Sequence, residues 1–374
     1  MNVKHILLFL AILVVPHTSI SQSTNGKVLR IKVDFESFEN VKMSEVFSDI
    51  TYLPLETNPN CLIGYMDNAV FGNEILINSN DSDQSIYRFT EDGKFLNKIG
   101  QIGRGPDEYQ NRSEVRLIDN TVYVVSSFSN NIICYSLKGD FIKKYHLNIE
   151  ANPKSIIQLN DKSFFVTLAQ PSKLGSIIRT DQDFNIKAGY IKYMPLKSNN
   201  LASRFQRSGN HVFYYHNYRD TIFDLSKGYP VPAIVMDYGK YRVAKEKRSV
   251  YEEDNIILNS PFIYDFYTNN DYLMFRIAYP FKGHSFYVLN KISDGTQTRW
   301  VKLINDIDCG SFEHLIGYLS ANSFIITLMP SEIIEKFDNM TKAEKADPKN
   351  SQFINMVSKI SLESNPVLMI CELK

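Results

Sequence analysis

The stretch IYRFTEDGKFLNKI (86–99) decides the fold of this chain, because its shape recurs further along the sequence. It consists of a short run of alternating apolar residues, a polar turn that contains glycine, and a second run that begins with an aromatic residue. The stretch IICYSLKGDFIKKY (132–145) has the same shape, and its Gly139 lies 46 residues after Gly93. Two alternating runs separated by a glycine-containing turn are typical of a β-hairpin.

Further copies of this hairpin follow at 177–191, 221–236 and 285–303. A second pair of strand-like runs precedes the hairpins, as in EVRLIDNTVYVVSS (114–127). Four strands in each unit of about 45 residues is the pattern of a β-propeller blade. The sequence therefore predicts an all-β fold, a six-bladed β-propeller with four-stranded antiparallel blades. The predicted blades are 66–102, 113–148, 155–192, 204–238, 261–306 and 312–374.

A ring of blades has to close, and closure usually joins strands from both ends of the chain in one blade. We expect the early strand KVLRIKVDF (27–35) to pair with the C-terminal strand in NPVLMICELK (365–374). Two charged segments, 243–258 and 331–346, interrupt the strand pattern with apolar residues near helical spacing. They are predicted to be short helical insertions in loops.

The first residues have the three-part pattern of a secretory signal peptide. A basic start precedes an apolar run at 6–15, and Ser19 and Ser21 supply the small residues before a cleavage point. This run is too short to span a bilayer, which needs about 20 residues; a buried N-terminal strand is the alternative. We expect a signal peptide at 1–21 and the propeller at 22–374, in a periplasmic or extracellular protein. Because no cysteine lies near the cleavage point, we expect no lipid anchor. No later segment is long and apolar enough to span a membrane, so we expect no transmembrane segment.

The composition limits the class of partner. The chain has 41 basic and 41 acidic residues, so charge gives no reason to expect nucleic acid or an anionic membrane. The cysteines at 61, 134, 309 and 371 form no C-x-x-C pair, so their spacing predicts neither a metal site nor a disulfide, although an oxidising compartment would permit one. We expect no cofactor, and a monomer.

The stretch QIGRGPDEYQ (101–110) resembles a phosphate-binding loop at first sight. No Lys-Ser or Lys-Thr pair follows it, and Pro106 removes a backbone N–H, so the phosphate interpretation fails. We favour a turn that joins one blade to the next across their seam, in which Arg104 can pair with Glu108. A role for Arg104, Glu108 and Tyr109 in binding a ligand at the central pocket stays open beside it.

Three further residues are candidates for ligand binding. Arg219 and Asp220 stand between two strands of the fourth unit and form either a satisfied turn or part of a pocket. Tyr215 belongs to an aromatic cluster at 213–218. This cluster is either blade packing or a stacking surface for sugar rings or peptide side chains.

No spacing in the sequence argues for catalysis or for a bound metal. There is no G-x-S-x-G elbow of the kind that presents a catalytic serine. Asp306 and Asp308 would suit calcium, but they lack a wider acidic cluster, and a turn is the default interpretation. We therefore predict no catalytic and no metal-binding residues.

Several stretches resemble a known family of secreted six-bladed β-propellers from Bacteroidetes, related in shape to NHL-repeat propellers. DGKFLNKIGQIGRGPDEY (92–109) is similar to the family's most recognisable motif, Gly-Arg-Gly-Pro-Gly-Glu-Tyr, with Asp107 in place of the last glycine. The other similar stretches are 219–225, 232–240, 305–310 and 364–374. The resemblance implies the propeller fold, and the family's activity is largely undefined. Its members often carry a lipobox cysteine, which this sequence lacks.

The function expected on these grounds is that of a secreted, non-catalytic binding or scaffold protein. Its axial pocket would bind a peptide, a glycan or a partner protein. The alternative is a hydrolase or lyase that acts on a glycan or peptide through residues around the central channel. An enzyme would bring two or more His, Asp or Glu side chains together on the axis, whereas a scaffold would show scattered polar groups or an aromatic rim.

Overall fold

Six β-sheets arranged as the blades of a propeller make up the fold, as a computed structural model shows. The inner strands of successive blades contact one another around the ring. The predicted fold class is confirmed. The structure describes residues 28–36, 38–64, 66–71, 74–79, 84–169, 172–191, 203–216, 219–242, 261–279, 284–310, 317–320 and 323–374.

Three strands near the N-terminus come before the first blade and join blades that form later in the chain. They are β1 (Leu29–Lys32), β2 (Glu39–Lys42) and β3 (Phe47–Pro54), with the short helix α1 (Met43–Val46) between β2 and β3.

Blades 1 to 3 each consist of four consecutive antiparallel strands, the first at the inner edge and the fourth at the outer edge. Blade 1 contains β4 (Met66–Phe71), β5 (Ile75–Ser79), β6 (Ile86–Phe89) and β7 (Phe95–Lys98). Blade 2 contains β8 (Glu114–Ile118), β9 (Thr121–Ser126), β10 (Asn131–Ser136) and β11 (Phe141–His146). Blade 3 contains β12 (Pro153–Gln158), β13 (Phe164–Leu168), β14 (Ile177–Thr180) and β15 (Ile186–Tyr190).

Blades 4 to 6 take in the N-terminal strands. Blade 4 contains β16 (Ser203–Ser208), β17 (His211–His216), β18 (Thr221–Asp224) and β19 (Val231–Asp237). Blade 5 contains β20 (Phe262–Thr268), β21 (Tyr272–Tyr279), β22 (His284–Lys291) and β23 (Gln297–Ile304). Blade 6 contains β24 (Gly317–Ser320), β25 (Ser323–Leu328) and β26 (Val367–Leu373), and β3 completes it.

The ring closes through β3, which pairs antiparallel with the C-terminal strand β26. The prediction that 27–35 makes this pairing is therefore wrong. β1 instead pairs in parallel with β19 of blade 4, and β2 pairs in parallel with β23 of blade 5, so both blades have five strands. β1 is short and buries only one of its four side chains, Ile31, which suits an added edge strand. β3, with eight residues, is long enough to pair with all seven residues of β26, as a closing strand requires.

The insertion predicted at 331–346 is helical and lies between β25 and β26. It forms α2 (Pro330–Asp338), α3 (Lys342–Ala346) and a further helix, α4 (Ser351–Val357). Ile333 and Phe353 bury their side chains in the apolar cluster of blades 5 and 6. The second predicted insertion, 243–258, lies outside the described residues. No helix in the described ranges has the length and apolar character needed to cross a bilayer.

The repeated turn glycines hold each blade close to the one before it. Gly139 has a φ of +92°, and a Cβ added there would lie 2.7 Å from the carbonyl oxygen of Lys98 in the outer strand of blade 1. Gly93 is similar, with a φ of +82° and a distance of 2.6 Å to the carbonyl oxygen of Pro54 in the closing strand. Only glycine combines this backbone conformation with so close an approach. The glycine that marks the repeat in the sequence thus has a packing role between blades.

Candidate axial binding site

The inner strands of blades 2 to 5 bring charged side chains to the axis of the propeller. Each of these strands begins where the connection from the preceding blade ends. The charged residues near the strand starts therefore gather at the end of the channel where these connections enter. We call this group the axial cluster. It consists of Glu114, Arg116, Lys154, Arg204 and Asp265, with Arg276 from the adjacent strand β21.

Glu114 connects blade 2 to blade 3. Because side chains alternate along a strand, residues 114 and 116 project on the same side of β8. Oε1 of Glu114 lies 2.9 Å from Nη2 of Arg116 and accepts a hydrogen bond of 2.8 Å from Oγ of Ser155. Its Oε2 accepts a second one of 2.8 Å from the backbone N–H of Ile156. The carboxylate is therefore fixed in place between two blades.

Arg116 extends from blade 2 to blade 4. Its Nη2 donates a hydrogen bond of 3.2 Å to the backbone carbonyl of Phe205 in β16. Its Nε is buried and has no hydrogen-bond partner among the residues that the structure describes. A buried donor without an acceptor is costly, so the position of this guanidinium is maintained with one hydrogen bond unmade.

Arg204 and Asp265 form the contact between blades 4 and 5. Nη1 of Arg204 lies 2.9 Å from Oδ1 of Asp265, and Nη1 of Arg276 lies 3.5 Å from Oδ2 of the same carboxylate. The Asp265 side chain is only 6% exposed, whereas that of Arg204 is 49% exposed. The buried carboxylate therefore orients an arginine side chain that keeps about half of its surface exposed.

The axial cluster has an excess of positive charge, because its four cations accompany only two carboxylates. Burial lowers the pKa of Lys154, and the nearby charge of Arg204 lowers it further. Burial likewise lowers the pKa of Arg207, further along β16, with an added contribution from Arg116. These cations are thus close to one another. Against the opposing effect of burial, Tyr215 and the carboxylate of Asp265 raise the pKa of Arg204, so this guanidinium is stabilised in its charged form and can attract an anion.

Tyr264 adds an accessible aromatic ring beside the charges. It precedes Asp265 on β20, and 42% of its surface is exposed. The guanidinium carbon of Arg276 lies 4.4 Å from its ring centre, which is a cation–π contact. Its backbone carbonyl also accepts a hydrogen bond of 3.4 Å from the hydroxyl of Tyr215. The contact with Arg276 therefore fixes the Tyr264 ring, and the hydrogen bond from Tyr215 fixes the Tyr264 backbone.

Glu108, a candidate ligand contact in the sequence analysis, accepts hydrogen bonds from within the loop at 101–109. Its carboxylate accepts hydrogen bonds from the backbone N–H of Gly105 at 2.7 Å and from Nε2 of Gln101 at 2.5 Å, and these donors lower its pKa. Arg104 is exposed and forms no ion pair within the described ranges, so the predicted pairing of Arg104 with Glu108 is wrong. The backbone N–H of Gly105 and the side-chain amide of Gln101 supply the donors to this carboxylate instead.

This loop lies between blades 1 and 2. The hydroxyl of Tyr135 in blade 2 donates a hydrogen bond of 2.6 Å to the carbonyl of Asp107. The hydroxyl of Tyr109 donates one of 2.9 Å to the carbonyl of Gln84 in blade 1. The structure thus places the Gly-Arg-Gly-Pro motif at the seam, where the sequence analysis expected a turn.

Tyr109 and Tyr215, the two predicted aromatic ligand contacts, are fully buried. Tyr109 packs in the apolar cluster of blades 1 and 2, and Tyr215 packs between blades 4 and 5 against Phe266. Both side chains have packing roles here. Tyr215 also supports the axial cluster through its hydrogen bond to Tyr264.

Arg219 and Asp220 lie in the connection between β17 and β18. Asp220 is buried, and its Oδ2 lies 2.6 Å from Nη2 of Arg242. Its Oδ1 accepts a hydrogen bond of 3.0 Å from Thr221. Such connections lie at the same end of each blade as the blade-to-blade connections, so this ion pair is on the face where the channel opens. A ligand role for Arg219 and Asp220 stays a prediction.

The NDIDCG stretch forms a turn whose carboxylates bind protein groups. Asp308 accepts hydrogen bonds from the hydroxyl of Tyr52 at 2.8 Å and from the side chain of Asn305 at 2.7 Å. Asp306 accepts from the backbone N–H and the hydroxyl of Ser44. Across the described residues, no group of three or more His, Cys, Asp or Glu side chains could hold a metal ion.

The members of the axial cluster were not predicted from the sequence, although a signal for them exists. Arg116, Lys154 and Arg204 each lie in the first strand of a repeat unit. A charge in a strand packed between blades is costly unless it is paired or faces solvent. The innermost strand, which borders the channel, is where both conditions can be met.

The fold and this site together define the chain as a six-bladed β-propeller with charged side chains on the inner strands of four blades. The sequence matches the model of the family "Domain of unknown function (DUF4934)" over residues 27–372. The chain belongs to this family, in agreement with its resemblance to Bacteroidetes propellers of undefined activity.

Two solved structures from Bacteroides are similar to this chain. One is a protein from Bacteroides fragilis described as exported, with 16% identity and a TM-score of 0.72, covering 93% of this chain and 100% of that one. The other is a member of the DUF4221 family from Bacteroides vulgatus, with 11% identity and a TM-score of 0.53, covering 88% and 97%. At this level of identity, both bear on the fold alone. No curated protein matches the sequence.

Proposed function

We propose that the protein is an exported binding propeller that holds a peptide, a glycan or a partner protein in the axial cluster. The observation that carries this proposal is the half-exposed guanidinium of Arg204, fixed by the buried carboxylate of Asp265. Preformed, convergent polar groups in a concavity are typical of ligand sites. The inner strands of four blades supply these groups, so the site is positioned by a rigid scaffold.

The arrangement favours binding over hydrolysis or elimination. The two axial carboxylates, Glu114 and Asp265, are both paired with arginine, so neither is placed as a free general acid or base. A histidine–carboxylate pair does occur, with Nδ1 of His211 2.7 Å from Oδ2 of Asp224. It lies at the hairpin turns of blade 4, at the end of the blade away from the blade-to-blade connections.

A thermal-shift screen of peptides and glycans tests this proposal, because a ligand that binds the folded state raises the melting temperature. We expect a stabilising ligand whose effect is lost in Arg204→Gln and retained in Lys138→Gln. Lys138 is an exposed cation in the outer hairpin turn of blade 2, so the control removes the same charge away from the axis. A stabilising ligand that acts equally on Arg204→Gln would overturn the proposed site.

Export is tested separately from binding. The proposed signal peptide at 1–21 predicts a mature N-terminus at Gln22 when the full chain is expressed in a Bacteroides host. N-terminal sequencing of the protein from the periplasm or medium would check this. An unprocessed chain retained in the cytoplasm would contradict it.

A further inference from the structure

We infer that the axial cluster binds an acidic oligosaccharide, a sugar chain that carries uronic acid carboxylates. This inference rests on the proposed function, since it names the chemical class of the ligand held at the same site.

The cations of the cluster are the first reason. Arg116 and Arg204 come from different blades, and each presents planar N–H donors, which match carboxylate oxygens in charge and geometry. Lys154 adds a third positive charge near Arg204. A carboxylate among these three cations would be attracted by their charges and would accept charge-assisted hydrogen bonds from them.

The carboxylates of the cluster are the second reason. Glu114, whose side chain is 17% exposed, places acceptor oxygens 2.9 Å from Arg116, whereas the buried carboxylate of Asp265 orients Arg204. A simple anion uses only donors. A sugar acid also has hydroxyl groups, which donate and accept at once, and it therefore uses both kinds of group. A cluster that contains both cations and carboxylates fits an anion with several hydroxyl groups better than a simple anion without them.

The third reason is Tyr264. Its exposed ring stands next to Asp265 in the chain and is held by Arg276. An aromatic face of this kind packs against the C–H face of a sugar ring, with polar groups at its edge. A peptide ligand would need apolar pockets for its side chains. Among the inner-strand side chains that the structure describes, Tyr264 is the one large hydrophobic residue that is exposed. These features favour a glycan over a peptide.

The test is titration calorimetry with the full mature chain. The probes are tetrasaccharides of galacturonic, glucuronic and mannuronic acid, each with its carboxyl-reduced neutral counterpart, and a tetraglutamate peptide. The variants are Arg204→Gln, Lys154→Gln and the off-axis control Lys138→Gln. A single cooperative thermal transition shows that each variant is folded.

We expect at least one acidic tetrasaccharide to bind, and its reduced counterpart to bind about 10- to 100-fold more weakly, the effect of losing charge-assisted hydrogen bonds. Arg204→Gln and Lys154→Gln should weaken the acidic probe to a similar degree, and Lys138→Gln should leave it unchanged. Binding of none of the three acidic probes overturns the inference.

Other outcomes separate this inference from the proposed function. If the neutral sugars or tetraglutamate bind as tightly as the acidic sugars, and Arg204→Gln abolishes that binding, the site is correct but the ligand class is wrong. If an acidic sugar binds with equal affinity to wild type, Arg204→Gln and Lys154→Gln, the axial site itself is wrong, and the proposed function fails with it.

Discussion

Arg204 of blade 4 and Asp265 of blade 5 are joined by an ion pair of 2.9 Å between neighbouring inner strands. The two partners differ in exposure, since the carboxylate is buried and the guanidinium is half exposed. Asp265 is also within 3.5 Å of Arg276, whose side chain is only 14% exposed. The carboxylate of Asp265 thus stabilises the contact between the two blades, and the exposed part of Arg204 can also bind a ligand.

This asymmetry predicts different costs for removing the two partners. Asp265→Ala should lower the free energy of unfolding by about 3 kcal/mol, because it leaves the buried guanidinium of Arg276 without its carboxylate. Arg204→Gln should cost about 1 kcal/mol or less, because a half-exposed pair contributes little. Urea unfolding of both variants measures the difference. Equal costs would show that the pair is not asymmetric.

The close approach of turns to the preceding blade predicts a difference between two glycines. Gly139→Ala should cost about 2–3 kcal/mol, since it combines strain at positive φ with a clash against the Lys98 carbonyl. Gly295 is the matched control, because its φ is +75° and nothing lies within 4 Å of an added Cβ. Gly295→Ala should cost only the backbone strain, about 1 kcal/mol. Denaturant unfolding that gave the same cost at both sites would contradict the packing role.

The buried hydroxyl of Tyr52 predicts a dependence of stability on alkaline pH. Burial raises its pKa well above the usual value, and the carboxylate of Asp308 raises it further. A raised pKa in the folded state contributes stability that is fully present below the unfolded pKa of about 10 and is lost as the pH rises above it.

Tyr52→Phe removes this titration, so the difference in stability between the variant and wild type depends on pH. We expect the variant to be less stable than wild type by about 1 kcal/mol at pH 7, where it lacks the hydrogen bond to Asp308. The deficit should shrink by about 1.4 kcal/mol per pH unit above pH 10. Urea unfolding from pH 7 to 11 measures both values, and a deficit independent of pH would argue against the buried Tyr52–Asp308 contact.

The four cysteines are unpaired, and this predicts their reactivity. Burial raises the pKa of Cys61 and of Cys134 to about 12, and raises that of Cys371 still further. Cys309 is only partly buried, and burial raises its pKa to about 11. Because the thiolate is the reactive form, a disulfide reagent at pH 8 should modify Cys309 first and the others slowly. Unfolding in denaturant without reductant should release four reactive thiols, and fewer would indicate a disulfide.

The fold was predictable because its signal is local and repeated. The hairpin around Gly93 recurs around Gly139, and each copy carries its own turn chemistry, so the number and type of blades follow from the sequence. Closure was not predictable in the same way. A short alternating strand has the same pattern whether it closes the ring, as β3 does, or is added in parallel to an outer edge, as β1 is.

The site was less predictable than the fold because distant segments assemble it. Arg116, Lys154 and Arg204 lie on three different blades, and no spacing in the sequence connects them. The Gly-Arg-Gly-Pro motif at 103–106 drew attention instead, since its residues are adjacent in the chain. The motif is distinctive because its residues pack at the seam between blades 1 and 2. A search for charges within the first strand of each repeat would have found the axial residues.

The most direct test of the account is a crystal structure of the protein with a bound uronic acid tetrasaccharide. We predict electron density for the sugar on the axis, with one carboxylate within hydrogen-bonding distance of Arg204 or Arg116 and a sugar ring against Tyr264. Density for the sugar on the outer blades or at the hairpin-turn end, with the axial residues unoccupied, would contradict the central claim.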